Sequence, residues 1–208
     1  MSLPPRRGVP TPLLLTAVAV AAVAIWLANR RLDRWMYPWA DAHAGHAVLV
    51  GTWVGQLTTG GRRPRVVLMD VARERPEPGH TSGRCRGCDD GIEGTALTCD
   101  ERGRVWRYRF SGTPEDRAAT RIPGGFQPVE NPPPDGLSLS GFHGGWNGAD
   151  ALDLEVEFYW RRGASAISST ADPDTKGFVP LPLRRGTHGD FQARCQRIRG
   201  PAIPEVVP

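Results

Sequence analysis

Lysine is almost missing from this chain. Lys176 stands alone among 26 basic residues, and the arginine bias fits GC-rich codon usage better than a recognition code. Catalytic signatures are missing as well. No G-x-S-x-G elbow occurs, since Ser165 in the stretch GASAI lacks the second glycine. No glycine-rich phosphate loop leads into a helical pattern. These gaps argue against a serine hydrolase and a P-loop nucleotidase; the chain is expected not to be an enzyme and to need no cofactor. The body of the chain also lacks an excess of charge of either sign. Five of the 26 basic residues (Arg6, Arg7, Arg30, Arg31, Arg34) and one of the 22 acidic ones (Asp33) precede residue 35, leaving 21 of each beyond it. The excess positive charge therefore flanks the N-terminal segment, where it would meet anionic lipid headgroups, and a basic nucleic-acid-binding face is disfavoured. With 25 Gly and 20 Pro, the composition points to short elements joined by turns rather than to a helical bundle.

What is present begins with residues 9–28, VPTPLLLTAVAVAAVAIWLA, which carry no charge. Twenty helical residues rise about 30 Å, the thickness of a bilayer core. Pro10 and Pro12 fall in the first turn, where a missing N–H costs little, and Trp26 suits the headgroup layer at the far end. A basic segment (1–8) is thus expected to precede a transmembrane signal anchor (9–28). A cleavable signal peptide is the alternative, because Ala22-Val23-Ala24 has the A-x-A form. Residues 29–45, with three arginines beside Trp35, Met36, Tyr37 and Trp39, read as a juxtamembrane amphipathic segment. Flanking charge does not choose an orientation. Four cysteines in a turn-rich domain favour an oxidising compartment, so the domain is expected outside the cytoplasm, on a single-pass protein of the inner or plasma membrane.

From residue 46 the hydrophobic period changes to two. Strands are expected over 46–57, 65–71, 94–99, 104–110, 137–142, 151–160, weakly over 179–183, and over 191–198. The clearest are 104–110, where Trp106, Tyr108 and Phe110 alternate with Arg107 and Arg109, and 151–160, where five apolar residues alternate with Asp153, Glu155 and Glu157. Residues 72–90, 111–136 and 163–176 read as Pro- and Gly-rich loops. The expected fold is all-β, an antiparallel barrel or sandwich of seven to eight strands over 46–199, with a C-terminal tail over 200–208 and no helix in the soluble domain.

Gly51-Thr52-Trp53 in the first strand resembles the G-x-W signature of lipocalins and their calycin relatives. That resemblance implies an up-and-down barrel whose Trp53 packs across a closed end beneath an arginine near the last strand, with Arg197 or Arg199 as the counterpart. It also implies a pocket for a small apolar ligand.

Cys85-Arg86-Gly87-Cys88 admits three readings. A redox pair is disfavoured by the missing βαβ context and by Asp89-Asp90. Zinc held by Cys85, Cys88 and Cys99 with His80 or Cys195 has suitable ligand types but lacks a second knuckle. Structural disulfides fit best, with Cys99 joined to Cys195 across the sheet and Cys85 paired locally with Cys88. His43 and His46 with Asp41 read as a solvated linker rather than a metal site. The expected function is a binding or interaction module of the cell envelope, taking a small apolar ligand or another envelope protein. The alternatives are an accessory subunit of an envelope complex and a thiol or zinc protein built on the C-x-x-C loop.

Overall fold

The computed structural model describes residues 11–40, 48–59, 63–74, 91–130, 137–162, 166–168 and 178–199. The chain divides into two units, residues 1–38 and 39–208. The first is a single helix, α1 (Thr11–Met36). Its stretch Leu15–Leu32, of mean hydropathy 1.4, is long and apolar enough to cross a membrane, as an anchor or a signal segment. The helix runs past the apolar run, so the amphipathic segment expected from residue 29 continues α1 as far as Met36. Arg30 lies over the Trp26 ring, 5.3 Å from its centroid.

The second unit is built on strands that bury one face. In β4 (Val105–Gly112) Tyr108 and Phe110 are buried while Arg107, Arg109 and Ser111 are exposed. In β7 (Ala151–Arg162) Leu152, Leu154, Val156 and Phe158 turn inward, away from Asp153 and Glu155. The remaining strands are β1 (Gly51–Thr59), β2 (Arg63–Arg73), β3 (Ile92–Cys99), β5 (Gly124–Pro128), β6 (Leu137–Trp146), β8 (Ala166–Ser168) and β9 (Val179–Arg185). Antiparallel pairing runs β1 to β7 in chain order, then from β7 to β9 and from β9 back to β1. Eight strands therefore close into a barrel, and β8 adds only to the last residues of β7. Closure removes every sheet edge from the ring, which settles barrel against sandwich.

Two strands fall in stretches read as loops. One is the short β8. The other is β5, whose glycines and prolines resemble turn chemistry. Its Phe126 packs at 5.0 Å from Phe142 and 6.1 Å from both Tyr108 and Phe110, ring centroid to centroid. Gly124 faces the Phe142 ring, and a Cβ there would collide with it. The glycine that mimics a loop is what lets that ring in.

Residues 191–198, expected as a strand, instead belong to a helix, α2 (His188–Ile198). Phe191 and Cys195 are four apart, so one helical face holds both, while Ala193, which would join them on a strand, is exposed. The start is fixed by a capping box. Thr187 Oγ1 accepts from the Asp190 amide at 3.1 Å, and the Asp190 carboxylate accepts from the Thr187 amide at 2.8 Å. Hydrogen bonds from Thr187 hold the Asp190 carboxyl below the usual carboxylate range. Its help to the helix is therefore intact above that range and lost as pH falls through the lowered value. Thr187→Ala is expected to cost about 1 kcal/mol in urea unfolding; an unchanged midpoint would show that the disulfide alone seats α2.

α2 covers the outer face of β1–β3. Phe191, Cys195 and Ile198 pack with Val54, Val66, Leu68, Leu97 and Cys99. The Cys99–Cys195 disulfide forms, with Cα atoms 6.0 Å apart. It lies between the barrel wall and α2 rather than inside the barrel, because Cys99 shares the outward parity of Leu97.

Candidate functional site

The barrel has two unlike ends. At the end where β1 starts, Trp53 is buried, and its Nε1 donates to the Leu49 carbonyl at 2.7 Å. The Leu49 amide in turn donates to the carbonyl of buried Trp39. The arginine across Trp53 is Arg185, 4.0 Å from the ring centroid, donating from Nη1 to the Val50 carbonyl at 2.9 Å. This corrects the expected Trp53–Arg197 pair. β9 ends with Arg185 directly opposite Trp53 in register, whereas Arg197 lies on α2, its Nε donating to the Ala193 carbonyl. Arg199 reaches the Gly103 carbonyl at the opposite end. Partial burial lowers the Arg185 pKa. Gly51 has φ of +131°, and a Cβ on it would strike the Arg185 guanidinium. Both fixed positions of the G-x-W motif thus serve the same closure. The β4–β5 connection folds over this end, with Ile122 N donating to Gly144 O at 2.6 Å and Trp146 N to Ala119 O at 2.9 Å.

The other end carries a polar cluster inside the wall. Register places Arg65 on the inward parity of Val67 and Met69, with Thr98 opposite Val67 on β3 and Trp106 opposite Thr98 on β4. Arg65 is only 6% exposed, and its guanidinium lies 5.1 Å from the Trp106 ring centroid. Among the described residues its Nη1 has no hydrogen-bond partner, while the buried Thr98 hydroxyl faces the Tyr108 phenol. Burial lowers the Arg65 pKa, and the charge of Asp100 partly offsets this; arginine stays protonated regardless. Tyr108, next inward on β4, has its phenol pushed up by burial, with hydrogen bonding at the Leu139 backbone opposing that.

Asp100 is the obvious counter-ion for Arg65, yet its oxygens are committed elsewhere. Oδ1 accepts from the amides of Arg102 and Arg104 at 3.0 and 2.9 Å. Oδ2 accepts from Arg104 Nε and Nη2 at 3.1 and 2.9 Å. The carboxylate fixes the β3–β4 hairpin and the Arg104 side chain, whose guanidinium also lies 5.0 Å from the Trp106 centroid. Two guanidinium ions thus flank one indole, and only that of Arg104 is hydrogen-bonded to Asp100.

The other expected residues are dispersed. Cys99 is bonded to Cys195 and so leaves the zinc set. Cys85, Cys88 and His80 lie outside the described residues, as do Asp41, His43 and His46. Asp153, Glu155 and Glu157 lie on the outer wall, where Arg184 (3.3 Å), His143 (2.9 Å) and Ser140 (3.4 Å) respectively meet them. Arg65 and Thr98 were not singled out from the sequence. No signal for Arg65 was available, because Val66, Val67, Leu68 and Met69 are buried on both parities of β2.

No family model matches the chain, and no curated protein matches it. Among solved structures, a de novo designed fluorescence-activating β-barrel is similar to it at 12% sequence identity and a TM-score of 0.39, over 66% of this chain and 93% of that one.

Proposed function

We propose that this chain is a membrane-tethered binding module of the cell envelope, lipocalin-like in plan, which takes a small ligand with apolar character at the Arg65 end of its barrel. The asymmetry of the two ends carries the reading. The Trp53 end is closed by satisfied hydrogen bonds and a stacked arginine, while the opposite end holds a buried guanidinium whose Nη1 has no partner among the described residues. Native interiors rarely leave such groups unmatched. The anchor reading rests on α1 and its apolar stretch, and the extracytoplasmic side on the Cys99–Cys195 disulfide, a bond that oxidising compartments preserve.

Photolabelling tests it. The full chain, held in phosphatidylcholine nanodiscs, is exposed to an eight-carbon diazirine alcohol, and the labels are mapped by peptide mass spectrometry. Labels within residues 39–199 are expected to concentrate near Val105, Trp106 and Val129. Labels spread evenly over the barrel wall, or confined to α1, would overturn the reading.

A further inference from the structure

We propose that the Arg65 end takes an oxyanion, a carboxylate or a phosphate, carried on an apolar body, with Arg65 as the cation that receives it and Thr98 as a second donor. The inference rests on the binding-module reading and adds the chemistry of the ligand. Charge balance comes first. Arg65 and Arg104 lie near two carboxylates: Asp100, whose two oxygens are used by Arg104 and by hairpin amides, and Glu101, which acts on Arg65 more weakly than Asp100 does. That leaves Arg65, a side chain 6% exposed, without a hydrogen-bonded partner at its Nη1 among the described residues. A buried ion without a paired counter-charge is among the costliest arrangements a fold can hold. An anion bound beside it repays the cost.

Donor geometry comes second. Nη1 of Arg65 is without a partner among the described residues, and register puts Thr98, whose hydroxyl also faces the Tyr108 phenol, on the same inner face of the adjacent strand. A guanidinium edge and a hydroxyl donate to acceptor oxygens and suit carboxylate or phosphate. Trp106 backs the guanidinium and fixes its plane.

The surroundings of the opening come third. Arg102 and Arg104 lie in the β3–β4 connection at this end. Positive charge beside an opening raises the local concentration of anions. In residues 39–199, the large apolar side chains found exposed among those described are Val105, Val129 and Phe178. Val105 opens β4 and Val129 follows β5, both at the same rim. Trp106, half-buried on the inward parity between them, offers contact to an apolar body whose head points in toward Arg65.

The test compares ligands that share a tail and differ in the head. Octanoate, octyl phosphate, octanol and octyltrimethylammonium compete with the diazirine alcohol for labelling of the full chain in phosphatidylcholine nanodiscs, and melting temperature is read in parallel. At least one anion is expected to compete on the order of tenfold to a hundredfold better than octanol, the range of a charge-assisted hydrogen bond. The stronger of the two anions identifies the head. Arg65→Met is expected to abolish that advantage while octanol still competes, and to leave the ligand-free melting temperature equal or higher, because it removes an unmatched buried charge. Arg65→Lys keeps the charge but loses the fork, and is expected to bind the anion about tenfold more weakly. Octanol matching both anions on the native chain would overturn the oxyanion assignment and leave the binding module standing. So would an anion preference that survives Arg65→Met, or a drop in ligand-free melting temperature in both variants with anion affinity unchanged. If the diazirine alcohol fails to label the barrel, the apolar-ligand reading falls. A melting shift by octanoate or octyl phosphate that needs Arg65 would still uphold the anion site, and absence of any shift would end it.

Discussion

Phe158→Ala is expected to destabilise the barrel by about 3–5 kcal/mol, whereas Glu155→Gln, three residues away on the same strand, is expected to change stability by no more than about 0.5 kcal/mol. Phe158 is 1% exposed, faces Leu139 across the β6–β7 pairing, and belongs to the inward set with Val156 and Leu154. Truncating it removes a whole ring from a closed interior. A barrel wall held by ladder bonds on both sides cannot collapse far to fill the gap, so the cost falls in the upper part of the large-to-small range. Glu155 points outward, where its side chain is 53% exposed and meets His143 at 2.9 Å. An exposed pair of that kind contributes little. Urea unfolding of the two variants with a common m-value measures the contrast. Equal midpoints would mean that β7 does not present Phe158 to the interior.

The same physics decides which parts of the fold were legible in the sequence. β4 and β7 alternate cleanly because one face meets the interior and the other meets water. β2 does not alternate: Val66, Val67, Leu68 and Met69 are all buried. α2 turns the outer face of that strand into a second core, so both faces select apolar residues and the period disappears. Arg65 sits at the edge of this run, and without a visible period nothing marked it as facing inward. β5 was hidden for the opposite reason, since Gly124 is small to admit the Phe142 ring and looks like a turn. α2 was misread because apolar residues at 191, 193 and 195 fit a strand until Ala193 proves exposed. The capping signal at Thr187 and Asp190 was available and outweighs the alternation. The Gly51-Thr52-Trp53 motif led correctly to a closed end with a stacked arginine. It misplaced that arginine because the chain beyond β9 is a helix on the outside of the wall, so the arginine facing Trp53 is the last residue of β9 itself.

Loss of the Cys99–Cys195 bond is the other change with a large expected effect. The bridge closes a sequence separation of 96 residues. In the chain-entropy account a loop of that length stabilises by about 4–5 kcal/mol. For a domain of this size that corresponds to roughly 8–20 °C in melting temperature. The double variant Cys99→Ala, Cys195→Ala is the cleaner comparison, because a single replacement leaves a thiol free to exchange. The effect should be uneven. Phe191 is the one fully buried residue of α2, and Cys195 and Ile198 are half-buried beside it, so without the bridge the helix keeps one anchor and its cap. Amide exchange in α2 is therefore expected to rise well before exchange in β2 or β3, whose ladder bonds persist. As α2 lifts, Val54, Val66 and Leu68 lose their cover and become an exposed apolar patch on the barrel wall. Reduction should thus promote self-association at concentrations where the oxidised chain stays monodisperse. Non-reducing peptide mapping comes first in order: Cys99 linked to Cys85 or Cys88 would refute the pairing. A double variant that melts within about 3 °C of the native chain would show that packing alone holds α2, with the bridge contributing less than about 1–2 kcal/mol.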